Sequence, residues 1–223
     1  IITYDEKGNE LFKTYLSKTI AVDACVSPDN AEFAYAEVNN SGTTIQSNIK
    51  IISIKDVKEK NTEPKYEYNA VQGSLVLRIK YQDKSRLICM YDDSIHKFET
   101  GVDVELTKLN EDNPKITFAD IELSNYVFRT YEKSTSLFRA DTIIEMQNTS
   151  NGKENVYTIE EVAKSVVSNN NVIAVNLGNE VYFVETNAWL IKRYSSSQVI
   201  EKIILGDGVA GIIYSDKIEI VNL

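Results

Sequence analysis

Few residues in this 223-residue chain have types and spacings that could do chemistry. The single histidine, His96, lies two positions from Ser94, so on a strand the two share a face, and a serine hydrolase would need that histidine as its base. No strand-to-helix nucleophile elbow surrounds Ser94, and the pair reads as structural. Cys25 and Cys89 sit inside apolar runs; they read as buried thiols, and a disulfide would require Cα atoms within about 7 Å. With no Cys-x-x-Cys and no histidine pair, a zinc site is not expected. A hard cation could use Asp92 and Asp93, or Asp5, Glu6 and Glu10 around Gly8. Paired carboxylates for glycoside cleavage could come from Asp103 with Glu105 or Asp120 with Glu122. Gly206-Asp207-Gly208 reads as a turn and not as a phosphate cradle, and no cofactor is expected.

These residues must be placed by a repeated element. RLICMYDDSIHKFET (86–100), VIAVNLGNEVYFVET (172–186) and VAGIIYSDKIEIVNL (209–223) align without a gap. Each is an apolar strand, a turn pair (Asp92-Asp93, Gly178-Asn179, Ser215-Asp216) and a second strand, which is a β-hairpin. The alignment sets His96 opposite Tyr182 and Glu219, an ordinary strand position, and makes Asp92-Asp93 a turn pair, where Asp is favoured for local backbone hydrogen bonds. A period of roughly forty residues is the spacing of propeller blades.

The composition agrees with an all-β fold: 43% hydrophobic residues, 26% charged and 13 tyrosines in short β-branched and aromatic runs. No apolar run approaches the roughly twenty residues of a membrane helix. The formal charge of −9 excludes nucleic acid as an expected partner, because an acidic surface repels a phosphate backbone.

Read blade by blade, the first runs from Thr19 to about Val71 and the second from Leu75 to Leu109. The third runs from Ile116 to Ile159 and the fourth from Ala163 to Tyr194. Residues 199–223 supply three strands of a further blade, and residues 1–16 supply two. Joining strands from both termini into one blade would hide the sheet edges, so the expectation is a single β-propeller domain over 1–223, of about five and at most six four-stranded blades, closed by N- and C-terminal strands. The surplus strand at Ile1 to Tyr4 reads either as an edge extension or as the remainder of a blade whose first two strands lie upstream, and the expectation is a chain truncated at its N-terminus. Three stretches read as protruding loops suited to recognition: 56–65 (DVKEKNTEPK), 132–141 and 147–155.

The run Ser27-Pro28-Asp29-Asn30 followed by Ala31-Glu32-Phe33-Ala34-Tyr35 resembles the turn and strand of WD40-like propellers of the TolB type. YDEKGNELFKTY (4–15) is similar to the turn of quinoprotein-like repeats. Asn30 stands where the family has glycine, and Trp189 does not repeat as tryptophan does in quinoprotein blades. The resemblance implies a bacterial, membrane-anchored propeller, extracytoplasmic and tethered through an upstream transmembrane segment, and it carries over no catalytic residue.

The functional expectation is a non-catalytic binding or scaffold module of the cell envelope that recognises a protein or surface ligand. Tyr126, Tyr131, Phe138 and Trp189 are the candidate contacts, since exposed aromatics make rigid platforms; packing in the core or at a sheet edge is the competing reading for each. A sensor passing ligand state to the upstream helix would share these features. The alternative from another class is an extracytoplasmic hydrolase or lyase with an acidic site in the central channel.

Overall fold

The computed structural model describes residues 1–39, 44–70, 73–109 and 115–223. Every sheet is an antiparallel meander of strands consecutive in sequence. The chain divides into two compact units, Ile1–Lys108 and Leu109–Leu223.

The first unit holds β1 (Ile2–Tyr4) and β2 (Glu10–Lys13) as a two-stranded sheet, followed by two four-stranded sheets. One comprises β3 (Thr19–Val26), β4 (Glu32–Asn39), β5 (Gln46–Ser53) and β6 (Tyr66–Asn69). The other comprises β7 (Val76–Tyr81), β8 (Arg86–Tyr91), β9 (Ser94–Glu99) and β10 (Val102–Lys108). The turn before β4 shows why asparagine can stand at position 30: its φ of 56° is left-handed, a conformation Asn tolerates better than most residues other than glycine. Ser27 Oγ organises that turn, accepting the amides of Ala31 at 3.1 Å and Glu32 at 2.9 Å.

Between the two large sheets, Ala34, Ala36, Ile49 and Ile51 pack with Val76, Ile79, Leu87, Cys89 and Phe98 in one buried cluster. Alanines at 34 and 36 leave room for β7, and Tyr68 lies on Phe98 with ring centroids 4.2 Å apart.

In the second unit the first sheet is β11 (Ile116–Asp120), β12 (Tyr126–Ser136), β13 (Arg139–Asn148) and β14 (Glu154–Ile159). The next is β15 (Ser165–Asn169), β16 (Val172–Asn176), β17 (Glu180–Glu185) and β18 (Leu190–Ser195). A three-stranded sheet of β19 (Lys202–Leu205), β20 (Val209–Ile213) and β21 (Ile218–Asn222) follows. β16 is buried on both faces, as its unbroken apolar run requires. Ile173 and Val175 pack on Leu123, Phe128 and Met146, while Ala174 joins Phe183, Ile203 and Ile212.

Where the chain passes from one sheet to the next it is held by buried polar side chains. Ser47 Oγ donates to the Ser74 carbonyl and accepts the Val76 amide, both at 2.9 Å. Thr142 Oγ1 donates to the Glu161 carbonyl at 2.7 Å and accepts the Ala163 amide at 2.8 Å. Asn176 Nδ2 donates to the Ile200 carbonyl at 3.1 Å, and its Oδ1 accepts the Gly178 amide at 2.7 Å. All three side chains are buried, and each satisfies backbone groups at a junction between sheets.

Three expectations are corrected. Residues 56–65 do not form a simple loop: Ile54–Lys58 is a short helix, α1, capped by Ser53 Oγ on the Asp56 amide and anchored by buried Val57. The 132–141 connection is not a loop either, because β12 and β13 continue as strands to Ser136 and from Arg139. The terminal strands also pair differently from a shared blade. β1 bonds to β2 alone, and the C-terminal sheet holds β19, β20 and β21. Phe12 of β2 is drawn instead onto Phe33, at 5.1 Å between ring centroids, with Tyr35, Ile52 and Val57 around it.

No helix among the described residues is long and apolar enough to cross a membrane.

Candidate functional site

β12 and β13 are 11 and 10 residues long and outrun both of their neighbours. β11 pairs with β12 only between Phe128 and Tyr131, and β14 pairs with β13 only from Thr142 to Gln147. Among the described residues the distal part, from Glu132 through Arg139, is therefore a two-stranded ribbon paired only within itself. Its residues from 133 to 139 are all exposed. At its turn stand Leu137 and Phe138, 93% and 94% exposed. Two adjacent large apolar side chains held almost fully in water at a hairpin turn gain nothing for the fold, and their burial against another surface would be favourable.

Beside the hairpin lies an open groove of about 650 Å³, lined by Phe138, Arg139, Ala140, Glu160, Glu161 and Tyr182 among others. Arg193 closes one side. Its guanidinium lies over the Tyr182 ring at 5.3 Å and is held by Glu180, with Nε at 2.8 Å and Nη2 at 2.5 Å from Oε2. The Glu180 carboxylate raises the Arg193 pKa further. The acidic side of the groove is set by the Thr142 clasp, which fixes the Glu161 carbonyl from below.

The four aromatic candidates do not form one platform. Phe138 is at the hairpin tip. Tyr131, in β12, is tied down by donating to Glu145 Oε1 at 2.9 Å, and burial together with that bond raises its pKa. Tyr126 packs against the cluster containing Phe128 and Met146. Trp189 is 73% exposed in the turn between β17 and β18. That turn lies at the opposite end of the strands from the hairpin tip, with the Thr186 carbonyl bonded to Asn155 Nδ2 at the start of β14. Leu137 and the groove were not foreseen; the one sequence signal was the length of the third repeat between Tyr131 and Thr142.

Around His96 the structure assembles what spacing alone did not suggest. Nδ1 lies 2.7 Å from Asp103 Oδ1, and Nε2 lies 3.1 Å from Ser94 Oγ. The order of atoms is that of a serine-hydrolase triad. The arrangement differs from a triad in one respect, because Ser94 Oγ already donates to Asp93 Oδ1 at 2.8 Å. Ser94 is also only 6% exposed, at the head of β9 beneath a hairpin turn, so no substrate carbonyl reaches it. Asp93 Oδ2 accepts from Ser74 Oγ at 2.8 Å and Asp92 Oδ1 from the Leu75 amide at 2.7 Å. The Asp92-Asp93 turn thus pins the segment leading into β7, and its bonds are not the local ones expected of a turn pair.

Asp120 receives Ser168 Oγ at 3.0 Å and the Ile121 amide at 2.8 Å, which makes it a tie between β11 and β15. Among the described residues no three His, Cys, Asp or Glu side chains gather where a cation would sit.

Both cysteines are free thiols. Burial pushes the Cys25 thiol up to about 12 and raises the Cys89 thiol further still. Since the thiolate is the reactive form, neither should react with Ellman's reagent at pH 8 in the native protein, and both should react at once in denaturant. Absorbance at the release wavelength reads this directly; fast native labelling would contradict the packing described.

No protein-family model matches the chain, and no curated protein does. Solved structures do. A prolyl endopeptidase, from a study of two such enzymes and their inter-domain dynamics, superposes with a TM-score of 0.60 at 15% identity, over 98% of this chain and 34% of that one. The β-propeller domain of the Trilobed protease from Pyrococcus furiosus gives 0.59 at 10% identity, over 100% of this chain and 76% of that one. Sqt1 from Chaetomium thermophilum gives 0.52 at 8% identity, over 92% and 59%. The chain thus spans about a third of the prolyl endopeptidase. At such identities the likeness is one of fold. The six antiparallel sheets are the blades, complete and partial, of a β-propeller of five to six blades.

Proposed function

We propose that this propeller is a non-catalytic binding module of the bacterial cell envelope, and that it holds a protein partner at the end of the second unit from which the β12–β13 hairpin projects. The observation that carries this reading is the hairpin tip, where Leu137 and Phe138 stand 93% and 94% exposed on a polar ribbon. Exposed apolar anchors surrounded by polar residues are the composition of a binding hot spot and its rim. The envelope location rests on the TolB-like Ser27-Pro28-Asp29-Asn30 turn. A protein partner is favoured over nucleic acid by the net charge of −9.

One observation favours a second reading, hydrolysis at Ser94-His96-Asp103. Against it stand the buried Ser94 hydroxyl and its bond to Asp93, which competes for the proton that His96 would have to remove.

The test is site-specific photo-crosslinking in envelope extract, with p-benzoylphenylalanine at position 138 or at position 189. The binding reading predicts one dominant adduct from position 138 and none from 189. Adducts from neither position, or from 189 alone, would overturn it.

A further inference from the structure

We propose that the groove beside the hairpin takes an extended, basic segment of the partner as an added β-strand, paired to the free edge of β13 at Ala140. This rests on the binding reading above and names the chemistry of the partner that occupies the site.

The register carries the backbone half of the inference. The Thr142 amide donates toward Glu161, at 3.1 Å, so Thr142 turns its backbone groups to the β14 side. Hydrogen-bonding direction alternates along a strand, and Ala140, two residues earlier, turns its N–H and C=O the same way. β14 has ended by then: its last residue, Ile159, pairs with Thr142. Ala140 therefore offers a donor and an acceptor to the groove, in line with β14 and with Phe138 at its side. A strand edge with free backbone groups is a template for a further strand.

Charge decides the side chains. Glu160 and Glu161 are exposed on the groove wall, and Arg193 is committed to Glu180. The groove is lined by Glu160 and Glu161 and by Arg139 and Arg193; the Arg193 charge is met by Glu180, which lies outside the lining, and this leaves two carboxylates against Arg139. A segment that alternates basic with apolar residues presents the first to these carboxylates and the second to Phe138 and Val162. An acidic segment would meet repulsion, which supplies discrimination as well as attraction.

Fluorescence anisotropy with a labelled Lys-Val-Lys-Val-Lys-Val-Lys peptide, at about 150 mM salt to screen long-range attraction, tests both halves. The wild-type chain should bind it saturably. Ala140→Pro should weaken binding by about tenfold or more, since the lost amide donor is the one facing the peptide. On that alternation the Ala140 amide faces away from β12, so the variant should melt as the wild type does. If it instead loses its fold, the same peptide N-methylated at its central valine reads the same bond against the wild-type protein. Glu160→Lys with Glu161→Lys should weaken binding comparably, and a Glu-Val peptide should not bind.

Absence of binding to the wild-type chain overturns the proposal. So does equal binding to the Ala140→Pro variant and of the N-methylated peptide, which would reveal charge attraction alone. A partner crosslinked at position 138 but indifferent to these changes would remove this inference and leave the binding reading intact. No adduct at position 138 would remove both.

Discussion

Leu137→Ser combined with Phe138→Ser should weaken partner binding by roughly 30-fold or more while leaving thermal unfolding unchanged. The loss follows from the usual weight of a hot-spot anchor, about 2 kcal/mol, counted once for the adjacent pair because such values do not add. The unchanged stability follows from exposure: at 93% and 94% the two side chains bury nothing in the isolated protein, and such surface changes usually stay within about 0.5 kcal/mol. Titration of the crosslinked partner, once identified, against wild type and variant measures the first quantity, and calorimetry the second. A variant that binds normally would move the interface away from the tip. One that melts early would mean the hairpin is a structural element after all.

Thr142→Val should cost about 2–3 kcal/mol, visible as a fall of roughly 5–10 °C in the unfolding midpoint. Valine has nearly the same shape, so packing is kept and the hydroxyl is what is removed. The half-buried Ala163 amide then loses its side-chain acceptor, and the Glu161 carbonyl keeps the Thr142 amide. The Thr142 clasp is the mechanical link between the core and the site, because the same carbonyl holds Glu160 and Glu161 against the groove. The variant should therefore also weaken binding of the Lys-Val peptide, by less than the change at Ala140 does. Thr142→Ser, which restores the hydroxyl, should recover most of both losses. A valine variant as stable as the wild type would show that water or a backbone shift satisfies the junction.

The hairpin of β16 and β17 was legible because two periodicities agreed: an unbroken apolar run for a strand buried on both faces, then alternation for the next. The Gly178 position between them shows the same logic at one residue. Its φ of 111° is open to glycine, and a Cβ there would collide with Lys164. The β12–β13 ribbon was not legible for the opposite reason. Glu132-Lys133-Ser134-Thr135-Ser136 has no buried face, so it carries no apolar alternation and reads as a loop although its backbone pairs with β13 on both sides of a bulge at Thr135. The α1 helix was hidden in a charged run, where only Ser53 as cap and Val57 as anchor marked it. Ser47, Thr142 and Asn176 were invisible for a different cause. Their roles depend on which backbone segment crosses above them, a tertiary fact that no local pattern states. The Ser94-His96-Asp103 arrangement likewise came from pairing β9 with β10, which sets Asp103 beside the strand that carries His96.

Two places in the chain look functional: a triad-like cluster in the first unit, whose Ser94 is buried and bonded to Asp93, and an exposed hairpin tip in the second. The most direct measurement is a side-by-side capture from one envelope extract by immobilised wild type, the Ser94→Ala variant, and the Leu137→Ser, Phe138→Ser variant, with the bound partner quantified by mass spectrometry. The account predicts equal recovery by wild type and Ser94→Ala and loss of the partner from the tip variant. Recovery that survives the tip changes and disappears with Ser94 would contradict it.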